Sequence, residues 1–309
     1  MNAVNGFDRF AVAPRSLAVV LLGLLAACGD TDSTTSTTST GLLDIAVTDA
    51  PIDEAAEVLI VFDGIELKPL GADPVVIDLE PAQRLNLLQY RDGETFNLLN
   101  QARVQAQQYE WLRLRIRTQQ NLQDGSYIRL RDGRQFPLFI PSGAESGLKL
   151  IRSFTVAQGG VTRLLIDFDL RKSLVRPPGL APNWILKPAL RLVDRLQTGR
   201  LERTEDLSAL ALNFGLSRAD CDAGLYLFAG RDQTPDDMDG DPADGTDPVV
   251  YLPLDPTRER DTVEYQIHFL ETGDYTLALT CDFGLDADPY VSEDGQRFIT
   301  RNVTVIAGS

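Results

Sequence analysis

Trp111-Leu112-Arg113-Leu114-Arg115-Ile116-Arg117 changes character at every step. Successive side chains of a strand point to opposite faces, so Leu112, Leu114 and Ile116 read as a buried row and the three arginines as a solvent row. Tyr127–Arg131 repeats the pattern, with Ile128 and Leu130 inward and Tyr127, Arg129 and Arg131 outward. Asp124-Gly125 and Asp132-Gly133 are hairpin-type turns beside these runs. If the two strands pair, Arg113, Arg115, Arg117, Arg129 and Arg131 share one outer sheet face. Five like charges that close repel one another. Such a face is read here as solvated and balanced by local carboxylates, as docked on an acidic part of the chain, or as a site for an anionic envelope glycan or phosphate.

The same period of two extends outward in both directions. Leu43, Ile45 and Val47 share a face, as do Val58, Ile60 and Phe62, followed by Ile65 and Leu67. Further strands read as Lys149–Val156, Val161–Asp169 and Trp184–Val193, with Pro51, Gly64, Pro69, Gly71, Pro74 and Pro81 as punctuation. Residues 82–108 are rich in Leu, Gln and Ala and are expected to hold one or two short helices. The polar stretch Asp194–Asp206 is taken as a boundary. Beyond it come expected strands at Leu207–Gly215, Gly224–Gly230, Val249–Leu254, Thr262–Leu270, Asp274–Thr280 and Phe298–Ile306. The fold class is therefore all-β, with two β-sandwich domains over 41–195 and 196–309. Gly273-Asp274-Tyr275, which opens a strand, resembles transthyretin-like and immunoglobulin-like modules, and implies that kind of sandwich for the second domain.

Charge separates the two regions. Residues 1–195 carry 22 acidic and 21 basic side chains, and 196–309 carry 23 and 8, which together make the net charge of −16. An acidic second region repels nucleic acid, so no nucleic-acid partner is expected. Nothing in the sequence sets the oligomeric state.

At the N-terminus, Arg9 and Arg15 precede the eleven-residue apolar run Leu17–Ala27. That is the length of a signal-peptide core and too short to span a bilayer. It ends in Leu25-Ala26-Ala27-Cys28, which resembles the bacterial lipobox. The resemblance implies a leader over 1–27, an acylated Cys28, and attachment to a membrane of the cell envelope through its lipid. Gly29 after the cysteine resembles lipoproteins sorted to the outer membrane. Residues 28–40 carry a Ser/Thr-rich run without apolar side chains and read as a flexible tether. With Cys28 acylated, Cys221 and Cys281 remain as an even pair in an oxidising compartment, and a disulfide between them is expected.

Motifs for catalysis are sparse. His268 is the single histidine and lies mid-strand, a position more typical of a surface residue than of a base. Gly143, Gly147 and Lys149 lack phosphate-loop spacing and read as a turn into a strand. Asp49, Asp53, Asp167 and Asp169 converge if the first strand pairs near the strand ending at Asp169. Such carboxylates suit Ca2+ or, as an alternative, a carboxylate-dependent hydrolase. The segment 236–247 contains six aspartates. Asp236, Asp237, Asp239, Asp241 and Asp244 are its candidate Ca2+ ligands, although Pro242 and Pro248 stand where an EF-type loop needs Gly and Glu. Ca2+ is thus the one cofactor candidate.

Several segments together resemble the bacterial domain-of-unknown-function family 4382. They are Thr48-Asp49-Ala50-Pro51, Pro141-Ser142-Gly143, Ser146-Gly147-Leu148-Lys149, Asp167-Phe168-Asp169, Lys172-Ser173 and Leu186-Lys187-Pro188. The resemblance covers 41–195 and implies an envelope lipoprotein of unassigned activity. The functional expectation is a non-catalytic module that binds a ligand or protein partner, with a lipid-anchored hydrolase and a structural scaffold as alternatives. Mass spectrometry of the mature chain is expected to find residue 28 at the N-terminus carrying diacylglycerol. An unmodified N-terminus elsewhere would remove both the anchor and the envelope address.

Overall fold

The computed structural model describes residues 39–308 apart from 51–54, 92, 119–124, 141–146, 177–183, 188, 239–245 and 287–294. In the first part the strands are β1 (Thr40–Ala50), β2 (Ala55–Pro69), β3 (Val75–Asn86), β4 (Phe96–Gln105), β5 (Gln108–Ile116), β6 (Tyr127–Leu130), β7 (Gln135–Phe139), β8 (Leu148–Leu150), β9 (Phe154–Thr155) and β10 (Val161–Asp169). A one-turn helix α1 (Leu170–Ser173), then β11 (Leu174–Val175), β12 (Trp184–Leu186) and β13 (Leu190–Asp194), complete it. One sheet has the order β13-β10-β1-β4, and the other β11-β12-β7-β6-β2-β5-β8, with β3 on β2 and β9 on β5. Their inner faces meet in one core. Leu43, Ile45 and Val47 lie there with Ile60, Phe62, Leu112 and Leu114, all fully buried, and Phe62 meets Phe168 edge to face at 6.2 Å.

The alternation of Trp111–Arg117 ends where expected, with Leu112, Leu114 and Ile116 inside. The pairing of this strand differs from expectation. β5 and β6 do not pair with each other. Both pair with β2, β5 along Phe62–Pro69 and β6 along Ala55–Leu59. They lie end to end, and the Ser126 amide donates to the Arg117 carbonyl to close the excursion between them.

The second part is built from β14 (Thr198–Asp206), α2 (Leu207–Asn213), β15 (Gly224–Ala229), β16 (Val250–Pro253), β17 (Thr262–Glu271), β18 (Gly273–Thr280) and β19 (Ile299–Val305). The pair β14-β17 faces the four-stranded sheet β16-β15-β18-β19 across a second core containing Leu201, Leu225, Leu227, Ile267 and Leu277. The fold is an all-β sandwich architecture. Tyr226 and Phe228, on alternate positions of β15, point away from that core into a third cluster with Met238, Tyr251 and Phe283. β15 is therefore covered on both faces, which is why its residues 224–228 are all buried.

Two local expectations are corrected. Leu207–Gly215 is helix rather than strand: Asp206 caps it by accepting from the Ala209 amide, and Leu207, Leu210 and Ala211 form its buried stripe. A run of Leu and Ala satisfies both periods, and the cap with helix-favouring residues decides it. Residues 82–108 are β3 and β4 joined through a single 3-10 turn at Leu87–Gln89. The polar Asp194–Asp206 stretch ends in β14, whose Leu201 is buried and whose register runs along β17.

Cys221 and Cys281 form a disulfide. It joins the approach to β15 with the end of β18, across a sequence separation of 60. Constraining a loop of that length in the unfolded chain contributes about 4 kcal/mol in the chain-entropy model. The Cys221→Ala/Cys281→Ala chain is expected to lose about that much in denaturant unfolding, with the midpoint falling and the slope rising, because the unfolded chain is less compact without the bond.

Candidate functional site

The parallel pairing of β1 with β10 sets Thr48 opposite Asp167 and Ala50 opposite Asp169. Parallel strands end together, so carboxylates far apart in sequence arrive at one edge. Asp49, Asp167 and Asp169 all line a cleft of about 990 Å3. Its other wall comes from the second part, through Tyr251 of β16 and Tyr265, His268 and Phe269 of β17. Asp53 lies outside the described residues.

Each carboxylate has a different environment. Asp49 is buried, at 5% exposure. Asp167 accepts from Arg191 of the neighbouring β13 at 2.6 Å. Asp169 caps α1 by accepting from the Lys172 amide. Burial raises the Asp169 pKa against the opposing pull of the Lys172 charge and amide, and the negative Asp167 raises it further.

The opposite wall is shaped by a bulge. The register between β14 and β17 slips between Gly199 and Leu201, leaving His268 and Phe269 across from Arg200. Phe269 adopts φ 56°, a left-handed conformation that an L side chain rarely takes. Its ring packs on Ala46, Leu165 and Val193, the outer face of the first sheet, with the Arg195 guanidinium 5.7 Å above it. His268 then lies against Gly93, where a Cβ would stand 2.9 Å from the imidazole. Glycine is needed there both for that approach and for its own φ of 88°.

Arg171 of α1 reaches the second part and stands 5.0 Å from the Tyr251 ring and 5.3 Å from that of Phe283. Burial, followed by the charge of Asp169, raises the Tyr251 pKa. Behind this ring the Tyr226 hydroxyl donates to Asp286 at 2.7 Å and accepts from Gln296 at 3.0 Å. Asp286 is 4% exposed, and burial pushes its carboxyl up to about 6, with the Tyr226 hydrogen bond opposing and the Asp237 charge adding to the rise.

Cys28, Asp239, Asp241 and Asp244 lie outside the described residues. Asp236 is half-buried and Asp237 is buried beside Met238, so the start of the acidic segment packs against the third cluster rather than standing in solvent. Among the described residues no group of three or more His, Cys, Asp or Glu is arranged to hold a metal. Pairing does not gather the five arginines. Arg113 meets Glu66 at 2.5 Å, Arg115 meets Asp78 at 2.8 Å, Arg115 and Arg117 both approach Asp63, and Arg129 meets Glu57. The carboxylates come from β2 and β3 beside them, giving a face of mixed sign; Arg131 is exposed beyond β6. Lys149 is also exposed, with its ammonium 4.4 Å over Trp111.

Arg171, Arg191, Tyr251 and Asp286 had no local signal. Arg191 sits in an alternating strand like any solvent-facing arginine, and Tyr251 and Asp286 acquire their surroundings only when remote loops close over them.

Residues 40–188 match the family described as "Domain of unknown function (DUF4382)". No curated protein matches the chain in sequence. Two solved structures are similar at low identity. The Bacillus anthracis TIE protein is 12% identical with a TM-score of 0.17, over 87% of this chain and 32% of that one. A leucine-rich repeat protein from Bacteroides thetaiotaomicron VPI-5482 is 11% identical with a TM-score of 0.20, over 87% and 25%. This chain thus spans about a third and a quarter of their lengths.

The pH dependence of stability follows from Asp286. Its folded pKa of about 6 lies above the ordinary 3.8, so the fold favours the protonated acid. That contribution is complete below 3.8 and is lost as pH rises through about 6, a loss of about 3 kcal/mol at most. Asp286→Asn is expected to flatten the melting profile between pH 4 and 6.5 and to melt above wild type at pH 7.5. An unchanged profile in the variant would assign the dependence elsewhere.

Proposed function

We propose that the chain is a lipid-anchored envelope module that binds a ligand, without turnover, in the cleft between its two β-rich parts. The observation that carries this reading is the cleft itself. It is of small-molecule size and takes wall residues from both parts. Arg191, Arg203, Arg260 and His268 stand among Asp49, Asp167, Asp169, Glu202 and Glu264. Groups of both signs lining one cleft suit a polar ligand, such as a glycan bearing charged substituents. The leader and Cys28 support the envelope address.

One observation favours a hydrolase as the second reading. Asp167 and Asp169 are two residues apart on one strand face, the first paired with Arg191 and the second pushed by burial toward its neutral form. Glycoside hydrolysis uses a carboxyl kept neutral as general acid beside a second carboxyl group.

Glycan-array binding followed by thermal shift separates the two. Charged glycans are expected to bind and to raise the melting temperature by several degrees. Arg191→Ala and His268→Ala should lose the shift, and Trp111→Phe on the outer face should keep it. Turnover that vanishes in both Asp49→Ala and Asp167→Ala would replace binding with catalysis, and a shift preserved in the cleft variants would remove the cleft as the site.

A further inference from the structure

One end of the outer face of the β3-β2-β5-β8 sheet carries a group of exposed apolar side chains. Alternation and register place Lys68 beside Trp111, and Ile151 follows one position beyond the Leu112–Leu150 pair. The adjacent row is Val76, Glu66, Arg113 and Lys149. Leu70 stands in the hairpin just past Lys68, and its amide donates to the Gln108 carbonyl at the start of β5. Ile151 is 81% exposed, Leu70 58% and Val76 46%. Trp111 lies under two cations, with the Lys149 ammonium 4.4 Å and the Arg113 guanidinium 4.8 Å from its ring. Glu66 neutralises Arg113, which leaves Lys68 and Lys149 as the cations flanking the apolar group.

This end is also where the chain arrives from Cys28. The Ala106 amide donates to the Ser39 carbonyl, and Trp111 is five residues past Ala106 along the β4-β5 connection and β5. At about 3.3 Å per residue, Trp111 lies at most about 17 Å from Ala106, where the tether joins the fold. Ser39 is eleven Cα–Cα steps past Cys28, a reach of at most about 40 Å when extended.

We propose that this patch is a membrane-docking face that lays the first sheet against the lipid surface, with Trp111, Leu70 and Ile151 at the headgroup level and Lys68 and Lys149 among the phosphates. An indole ring and long lysine stems are suited to that zone, where one end of each side chain is apolar and the other wet. In a chain of net charge −16 the face also selects an orientation, because acidic surfaces are held off anionic lipid. The lipid anchor makes the contact intramolecular, so a weak patch is sufficient. The inference rests on the anchoring reading for its setting, and the two fail separately in the experiment.

The chain has two tryptophans, and Trp184 is buried in the first core, so Trp111 is the one that reports on lipid. The full acylated chain is reconstituted in vesicles of 3:1 phosphatidylethanolamine and phosphatidylglycerol, with brominated or ordinary acyl chains. Brominated lipid is expected to quench tryptophan fluorescence at least twofold. Trp111→Phe should remove the quenching, and Lys68→Glu/Lys149→Glu should reverse most of it with an unchanged melting temperature. Full-length Cys28→Ser, which has no acyl chain, should sediment with the anionic vesicles at least fivefold more than its Lys68→Glu/Lys149→Glu derivative. Absence of quenching in the acylated chain overturns docking and leaves the anchor standing. If Cys28 proves unacylated, the anchor falls, and equal sedimentation of the Cys28→Ser chain and its derivative overturns docking as well.

Discussion

Pairing of β1 with β10 is the constraint from which the other features follow. Both strands are covered twice. Leu43, Ile45 and Val47 of β1 enter the main core, and Ala46, on the opposite face, meets Phe269 with Leu165 of β10 and Val193. A one-residue slip would exchange these faces and expose the whole core row, so the register is held by burial on both sides. Because the pairing is parallel, both strands finish at the same edge. Asp49 of β1 and Asp167 and Asp169 of β10 therefore lie at one edge of the sheet.

The attachment of the second part uses few side chains of unusual placement. Phe269 takes a left-handed backbone conformation to reach a small-residue surface formed by Ala46 and its neighbours. Arg171 spans in the other direction and stands against Tyr251 and Phe283. Arg152 adds an ion pair to Glu271. Between these contacts the two walls stay apart, and the separation is the cleft. Strain at a bulge persists where the surroundings over-determine it, and here the bulge places His268 in the cleft and Phe269 in the contact.

On the outer face of the larger sheet, charge is balanced locally. The long β2 supplies Glu57, Asp63 and Glu66 to arginines of β5 and β6, and exposed pairs of this kind contribute little to stability. Their effect is to leave the face without a strong field of one sign. Against that background the apolar end near Ser39, with Trp111 between cations, stands out as a surface of different chemistry.

The period of two in Trp111–Arg117, β1, β10 and β18 was enough to establish strands and their buried rows, because a strand exposes its pattern to its immediate sequence neighbours. The Cys221–Cys281 bond was also within reach, since setting Cys28 aside as the expected acylation site leaves one pairing. Helix α2 was misread because Leu and Ala in alternation satisfy either period, and only the Asp206 cap distinguishes them. The parallel register brings the ends of both strands to one edge, with Asp167 and Asp169 on one face and Asp49, level with Phe168, on the other. The arginine cluster failed because two good strands do not state which third strand each will choose. Periodicity is local and was determined by the sequence itself. Partner choice, the closing of loops over Asp286, and the cleft depend on residues brought together from well beyond any one element, and only the tertiary structure decided them.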